Sequence, residues 1–70
     1  MNKFQQVLKL MSEKYPTNYS IGMNPVLFIY DDESGVIYNS RDGNKGWTHP
    51  DSTILFSFND IKELVEHLRS

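Results

Sequence analysis

The sequence has no cysteine, which excludes disulfide bonds and every metal site built on thiolates, including zinc fingers. Small secreted domains usually carry disulfides, so a cysteine-free chain of 70 residues is expected in a reducing cytoplasm. No apolar run follows Lys3, and no stretch approaches the ~20 apolar residues that span a bilayer. Neither a signal peptide nor a membrane segment is therefore expected.

The sequence also lacks any run of lysine or arginine, and its formal net charge is −2. Proteins that bind duplex nucleic acid usually carry a basic stripe, because contacts to phosphates supply most of their non-specific affinity. Nucleic acid is therefore the less favoured class of partner.

No pattern of catalytic or metal-ligating residues is present. His49 and His67 lie far apart in the sequence, and each is expected at the surface. The acidic run Asp31-Asp32-Glu33 is consecutive, whereas a calcium loop needs oxygen ligands at alternate positions. No serine has a histidine or an acid in a pattern that would activate it. The sequence thus predicts no enzyme activity, no metal and no cofactor.

The composition is that of a folded protein, with 39% hydrophobic and 13% aromatic residues. Its length predicts a single domain over residues 1 to 70. A chain this short buries only about 60% of the surface that its unfolded form exposes. We therefore expect a thin core and no deep cleft.

Apolar spacing predicts two amphipathic helices. The first covers residues 3 to 15 and ends before Pro16, with its apolar face formed by Phe4, Val7, Leu8, Met11 and Tyr15. The second follows a cap at Asn59 or Asp60, and Asp60 with Glu63 has the spacing of a capping box. Its apolar stripe consists of Ile61, Leu64, Val65 and Leu68.

Three β-prone segments lie between these helices, at residues 26–30, 36–38 and 53–58. The turn at 31–35 ends on Gly35, which is available for a positive φ. Residues 17–24 fit either a short edge strand or an extended loop, and residues 39–52 form a long loop around Trp47. The prediction is an α+β fold of order α-β-β-β-α. Both helices would pack on one face of an antiparallel sheet of three strands, or four if 17–24 pairs.

Side chains alternate across a strand, so the apolar residues of the sheet divide into two sets. The bulkier set is assigned to the face beneath the helices: Val26, Phe28, Tyr30, Val36, Tyr38, Ile54, Phe56 and Phe58. The other set would lie on the uncovered face, where with Trp47 it forms the candidate interaction surface: Leu27, Ile29, Ile37, Leu55 and Trp47. Three explanations stay open for this apolar patch, namely capping by Trp47 or by residues 17–24, self-association, and a partner protein.

These observations predict a small non-enzymatic protein-binding module, such as an adaptor or an inhibitor of a larger protein. Its partner would be another protein or a second copy of the chain. Compact chains of this kind are common among accessory proteins of bacteria and their viruses. The alternative is a single-stranded nucleic-acid binder that stacks bases on sheet aromatics and on the Trp47 loop. That alternative requires the opposite assignment of the two sheet faces.

Overall fold

The computed structural model describes residues 2–41 and 45–70. Two helices flank three strands in the predicted order, α1 (Lys3–Lys14), β1 (Pro25–Ile29), β2 (Gly35–Ser40), β3 (Ser52–Phe58) and α2 (Ile61–Arg69). The strands form one antiparallel sheet of order β1-β2-β3, which confirms the α+β class. Part of the loop predicted at 39–52 lies outside the described residues. No helix among the described residues is long and apolar enough to cross a membrane.

Each helix begins at a side-chain cap. The Asn2 side chain accepts from the Gln5 backbone N–H at 2.8 Å, and the Gln5 side chain accepts in return from Asn2. Asp60 caps α2 by accepting from the Glu63 N–H at 2.8 Å. The Glu63 carboxylate accepts from the N–H of Asn59, one residue before the expected position. These caps satisfy backbone donors that a helix leaves unpaired at its first turn.

In the hairpin turn between β1 and β2, the residue with a positive φ is Glu33 and not Gly35. The Glu33 N–H donates to the Tyr30 carbonyl and the Tyr30 N–H donates to the Ser34 carbonyl, which closes a three-residue loop. Glu33 has the positive φ, at 70°. The predicted positive φ of Gly35 is therefore wrong. Gly35 is already an extended residue of β2, where it pairs with Ile29 of β1.

The segment at residues 17–24 forms a short 3-10 helix, Tyr19–Ile21, and not a strand. A single bridge joins Asn18 to Met23. Asn39 of β2 fastens the end of this segment to the sheet, since its side chain accepts from the Asn24 N–H at 2.7 Å and donates to the Gly22 carbonyl at 2.9 Å. These side-chain bonds, with a backbone hydrogen bond from the Ser40 N–H to the Asn24 carbonyl, hold the end of the segment against β2.

One hydrophobic core joins both helices to the sheet. α1 contacts α2, and α2 contacts β3. The core cluster consists of Val7, Met11, Ile37, Phe58, Ile61, Leu64 and Leu68. The predicted stripe of α2 is confirmed, with Ile61, Leu64 and Leu68 buried and Val65 packed beside them.

The apolar face predicted for α1 is only partly right. Val7 and Met11 are buried, whereas Phe4 and Leu8 are 62% and 64% exposed. Leu10, which was not part of the predicted face, packs against the core. The buried stripe of α1 is thus centred on Val7 and Met11 and is narrower than the spacing of its apolar residues suggests.

Candidate interaction surface

The strand register decides which side chains share a face of the sheet. Ile37 of β2 lies opposite Leu27 of β1 and Phe56 of β3. All three belong to the core or pack against it. We call this the core face. Tyr38 and Val36 alternate with Ile37 along β2 and therefore point to the other side, which we call the outer sheet face. Its apolar members are Val26, Phe28, Tyr30, Val36, Tyr38 and Ile54.

The predicted exposure of Leu27, Ile29 and Ile37 is wrong. Ile37 is 0% exposed and lies at the centre of the core. Leu27 and Ile29 are half-buried and pack against the same cluster. The sheet faces are therefore the reverse of the sequence-based assignment for β1 and β2.

The outer sheet face carries three large apolar side chains that are open to solvent. Phe28, Tyr30 and Ile54 are 42%, 43% and 48% exposed. The rings of Phe28 and Tyr30 meet edge to face with their centroids 4.9 Å apart. Between the two edge strands, Val36 and Tyr38 of the central strand are buried. The exposed side chains thus flank a buried centre.

Phe56 and Phe58 lie in or against the core as predicted, but a register shift separates them from Ile54, which was assigned to the same face. The pairing of β2 with β3 slips between Ile37 and Tyr38, so Tyr38 pairs with Ile54 while Ile37 pairs with Phe56. Leu55 is the extra residue of this bulge. A bulge of one residue reverses the alternation of side chains, so Ile54 lies on the outer sheet face and Phe56 on the core face.

The two remaining residues of the candidate surface lie apart from the core. Leu55 is 37% exposed at the bulge, next to Ile54. Trp47 is half-buried in the connection between β2 and β3. Of the five predicted residues, Leu55 alone combines a position in the sheet with an exposed side chain. In the sheet and its hairpin, the exposed large apolar residues that spacing did not select for this surface are Phe28, Tyr30 and Ile54.

A negatively charged turn borders the outer sheet face. Asp31, Asp32 and Glu33 follow directly on Tyr30 and are exposed. Hydrogen bonds from the Ser34 hydroxyl, and then from its backbone N–H, hold the pKa of Asp32 below its usual value. Asp32 therefore keeps its negative charge at neutral pH, two residues along the chain from Tyr30.

A histidine that was expected at the surface instead belongs to the packing between the helix ends and β3. The Nε2 atom of His67 lies 2.6 Å from the Tyr15 hydroxyl. The imidazole ring stacks on Phe56, with ring centroids 3.7 Å apart and planes 3° from parallel. Burial, and then the charge of Lys14, lowers the pKa of His67, and burial raises the pKa of Tyr15. Sequence spacing could not show this, because Tyr15, Phe56 and His67 come from three separate elements.

We expect the free energy of unfolding to fall when the pH drops below about 6.5, the pKa of an unperturbed histidine. The folded protein holds the pKa of His67 below that value, so the unfolded chain takes up the proton first. The stabilisation is complete above about pH 6.5 and is lost as the pH falls through the lowered pKa of the folded state. Urea unfolding at a series of pH values between about 4.5 and 8 checks this.

The matched control for this titration is His67→Gln, which can still bond to the Tyr15 hydroxyl but carries no ionisable group. The carboxylates of the protein titrate alike in both forms, so the difference between the two curves isolates His67. A constant difference across this pH range would contradict the lowered pKa.

No cluster of three histidine, aspartate or glutamate side chains that could hold a metal ion occurs within residues 2–41 and 45–70. The side chains that the fold brings together at the outer sheet face are apolar and aromatic, and they can bury area against a partner. Comparisons of the chain with protein-family models, with curated proteins and with solved structures found no match.

Proposed function

We propose that this protein is a small non-enzymatic protein-binding module, an adaptor or an inhibitor, that docks a partner on its outer sheet face. The observation that carries the proposal is the exposure of Phe28, Tyr30 and Ile54, each between 42% and 48%, on one face of a 70-residue domain. Large aromatic and aliphatic side chains grouped at a surface are typical of interaction sites. The absence of cysteine suits a partner in the cytoplasm.

The bordering turn indicates the charge of the partner. Asp31, Asp32 and Glu33 are exposed and follow directly on Tyr30, so a partner that covers Tyr30 would lie near them. An apolar surface rimmed by lysine or arginine would gain both burial and charge complementarity there. An arginine could also lie over the Phe28 and Tyr30 rings, since cations bind to aromatic faces. The proposed partner is therefore a protein with a basic rim around an apolar patch.

Replacing Phe28 and Ile54 together by threonine should abolish capture of the partner while the protein stays folded. Threonine keeps the β-propensity of both positions. Each native side chain would contribute about 1 kcal/mol to the binding free energy by burying its apolar surface. Tagged wild-type and variant proteins are compared in pull-downs from native-host lysate with nuclease present, read by mass spectrometry. Circular dichroism verifies the fold of the variant.

The matched control replaces Phe4 and Leu8 by glutamine, which removes two apolar side chains of even greater exposure from α1. The proposal holds only for a protein that is captured by the wild type and by this control but not by the Phe28/Ile54 variant. Capture by all three would contradict it. The solution mass tests for self-association. If it rises to that of two chains with increasing concentration, and stays at that of one chain in the Phe28/Ile54 variant, the partner of the outer sheet face is a second copy of the protein.

The second candidate function is a single-stranded nucleic-acid binder, and the exposed Phe28–Tyr30 pair favours it because bases stack on such rings. The carboxylates of Asp31, Asp32 and Glu33 beside this pair would repel a phosphate backbone, which is why we rank it second. It predicts that a labelled oligonucleotide binds at low salt, that salt weakens binding steeply, and that Tyr30→Ser removes it. Our first proposal, by contrast, predicts that the protein does not bind the oligonucleotide.

A further inference from the structure

A second surface with the opposite charge lies on the helices. A groove of about 420 Å³ runs between α1 and α2. We call it the interhelical groove, and its main lining residues are Lys3, Ile61, Lys62, Val65, Glu66 and Arg69. α2 packs against the core face of the sheet, so this groove and the outer sheet face are separate surfaces.

The floor of the interhelical groove is apolar and fixed in place. Ile61 is buried as a member of the core cluster, and Val65 packs against that cluster. The C-terminal ends of the two helices are held together by the Tyr15–His67 bond and by a 3.0 Å hydrogen bond from the Lys14 Nζ to the Ser70 carbonyl. The walls of the groove are therefore two helices whose separation is set by the core.

The rim of the groove concentrates positive charge in an acidic protein. The whole chain has 7 lysines and arginines and 9 acidic residues. The groove has three of the former, Lys3, Lys62 and Arg69, and one of the latter, Glu66. The rest of the chain is left with 4 cations and 8 acids, a balance of −4 against +2 for the groove. Among the described residues, none of the three cations has a carboxylate at ion-pair distance.

We propose that the interhelical groove binds an acidic amphipathic helix of a partner protein. A helix laid between α1 and α2 would place apolar side chains on Ile61 and Val65, as helix-in-groove complexes do. Its carboxylates would face Lys3, Lys62 and Arg69. The span from Ile61 to Arg69 is about 12 Å along α2, which matches roughly two turns of the bound helix.

The probe is a short fluorescein-labelled peptide with leucines at helical spacing and glutamates elsewhere, titrated with the full chain and followed by fluorescence anisotropy. We expect saturable binding that weakens as salt is added, since salt screens exposed charges. Lys62→Gln with Arg69→Gln should weaken it by about tenfold. Val65→Thr, which changes no charge, should also weaken it because it makes the floor polar.

The matched control is Lys9→Gln with Arg41→Gln, which removes the same charge from positions outside the groove lining and should leave binding unchanged. The proposal is overturned if the glutamate peptide does not saturate, if a peptide with lysine in place of glutamate binds equally well, or if the control variant loses as much affinity. It is also overturned if Val65→Thr has no effect, because binding would then be charge attraction without a groove. The Phe28→Thr/Ile54→Thr variant should bind the peptide like wild type, which separates this proposal from that for the outer sheet face.

Discussion

Replacement of Gly35 by alanine is expected to destabilise the protein by about 3 kcal/mol or more. A Cβ atom at Gly35 would overlap the Phe28 carbonyl oxygen and would lie 2.7 Å from the Phe58 ring and 3.1 Å from the Ile29 Cα. Two of these three atoms belong to the backbone of β1, which is paired with β2 at this point. They cannot move without breaking the hairpin ladder. Urea unfolding monitored by circular dichroism measures the loss.

Gly46→Ala is the matched control, because a Cβ atom there would meet nothing within 4 Å. It should change the free energy of unfolding by less than about 0.5 kcal/mol. If Gly35→Ala were as mild as Gly46→Ala, the close packing of Phe58 over Gly35 would be wrong.

Ile37→Asp is expected to unfold the protein. Ile37 is fully buried at the centre of the core. Its loss alone would cost about 2 to 5 kcal/mol, and burying a carboxylate without a partner adds further cost. At about 0.05 to 0.15 kcal/mol per residue, a folded chain of 70 residues has a total stability of about 4 to 10 kcal/mol, so the variant has little or no stability left. The measurement is the circular dichroism spectrum, with Ile37→Val as a milder variant that should stay folded and lose about 0.5 to 1.5 kcal/mol.

Ile54→Asp provides the comparison for the outer sheet face. Ile54 is 48% exposed on the neighbouring strand, so a carboxylate there stays hydrated and the protein should remain folded. The pair of variants tests the assignment of the two sheet faces directly. A folded Ile37→Asp variant together with an unfolded Ile54→Asp variant would restore the face assignment made from the sequence.

Local signals in the sequence were sufficient for the order of elements. Pro16 ends the first helix and Asp60 begins the second as expected, and the three strands agree with the predicted segments to within two residues at each end. These signals are short-range, because a cap, a proline or an apolar run acts on its own neighbours. That both helices cover a single face of the sheet stays a prediction.

The candidate surface needed long-range information that spacing does not contain. Bulk correctly predicts Phe58 in the core, where its ring packs over Gly35, its partner on β2, which has no side chain in that space. Bulk places Val26, Phe28, Val36 and Tyr38 on the wrong face, because Ile37 and not these residues shares a face with Phe58. The bulge at Leu55 then reverses the alternation between Ile54 and Phe56. Both effects depend on which residue of one strand lies opposite which residue of another.

The sequence by itself determined the α+β class and the order α-β-β-β-α, because periodicity, caps and turns are local properties of the chain. Only the tertiary structure decided that Ile37 is core and that Phe28, Tyr30 and Ile54 are exposed. It also decided that Lys3 of α1 joins Lys62 and Arg69 of α2 along one groove. These features depend on strand register and helix packing, which are set by contacts between residues far apart in the chain.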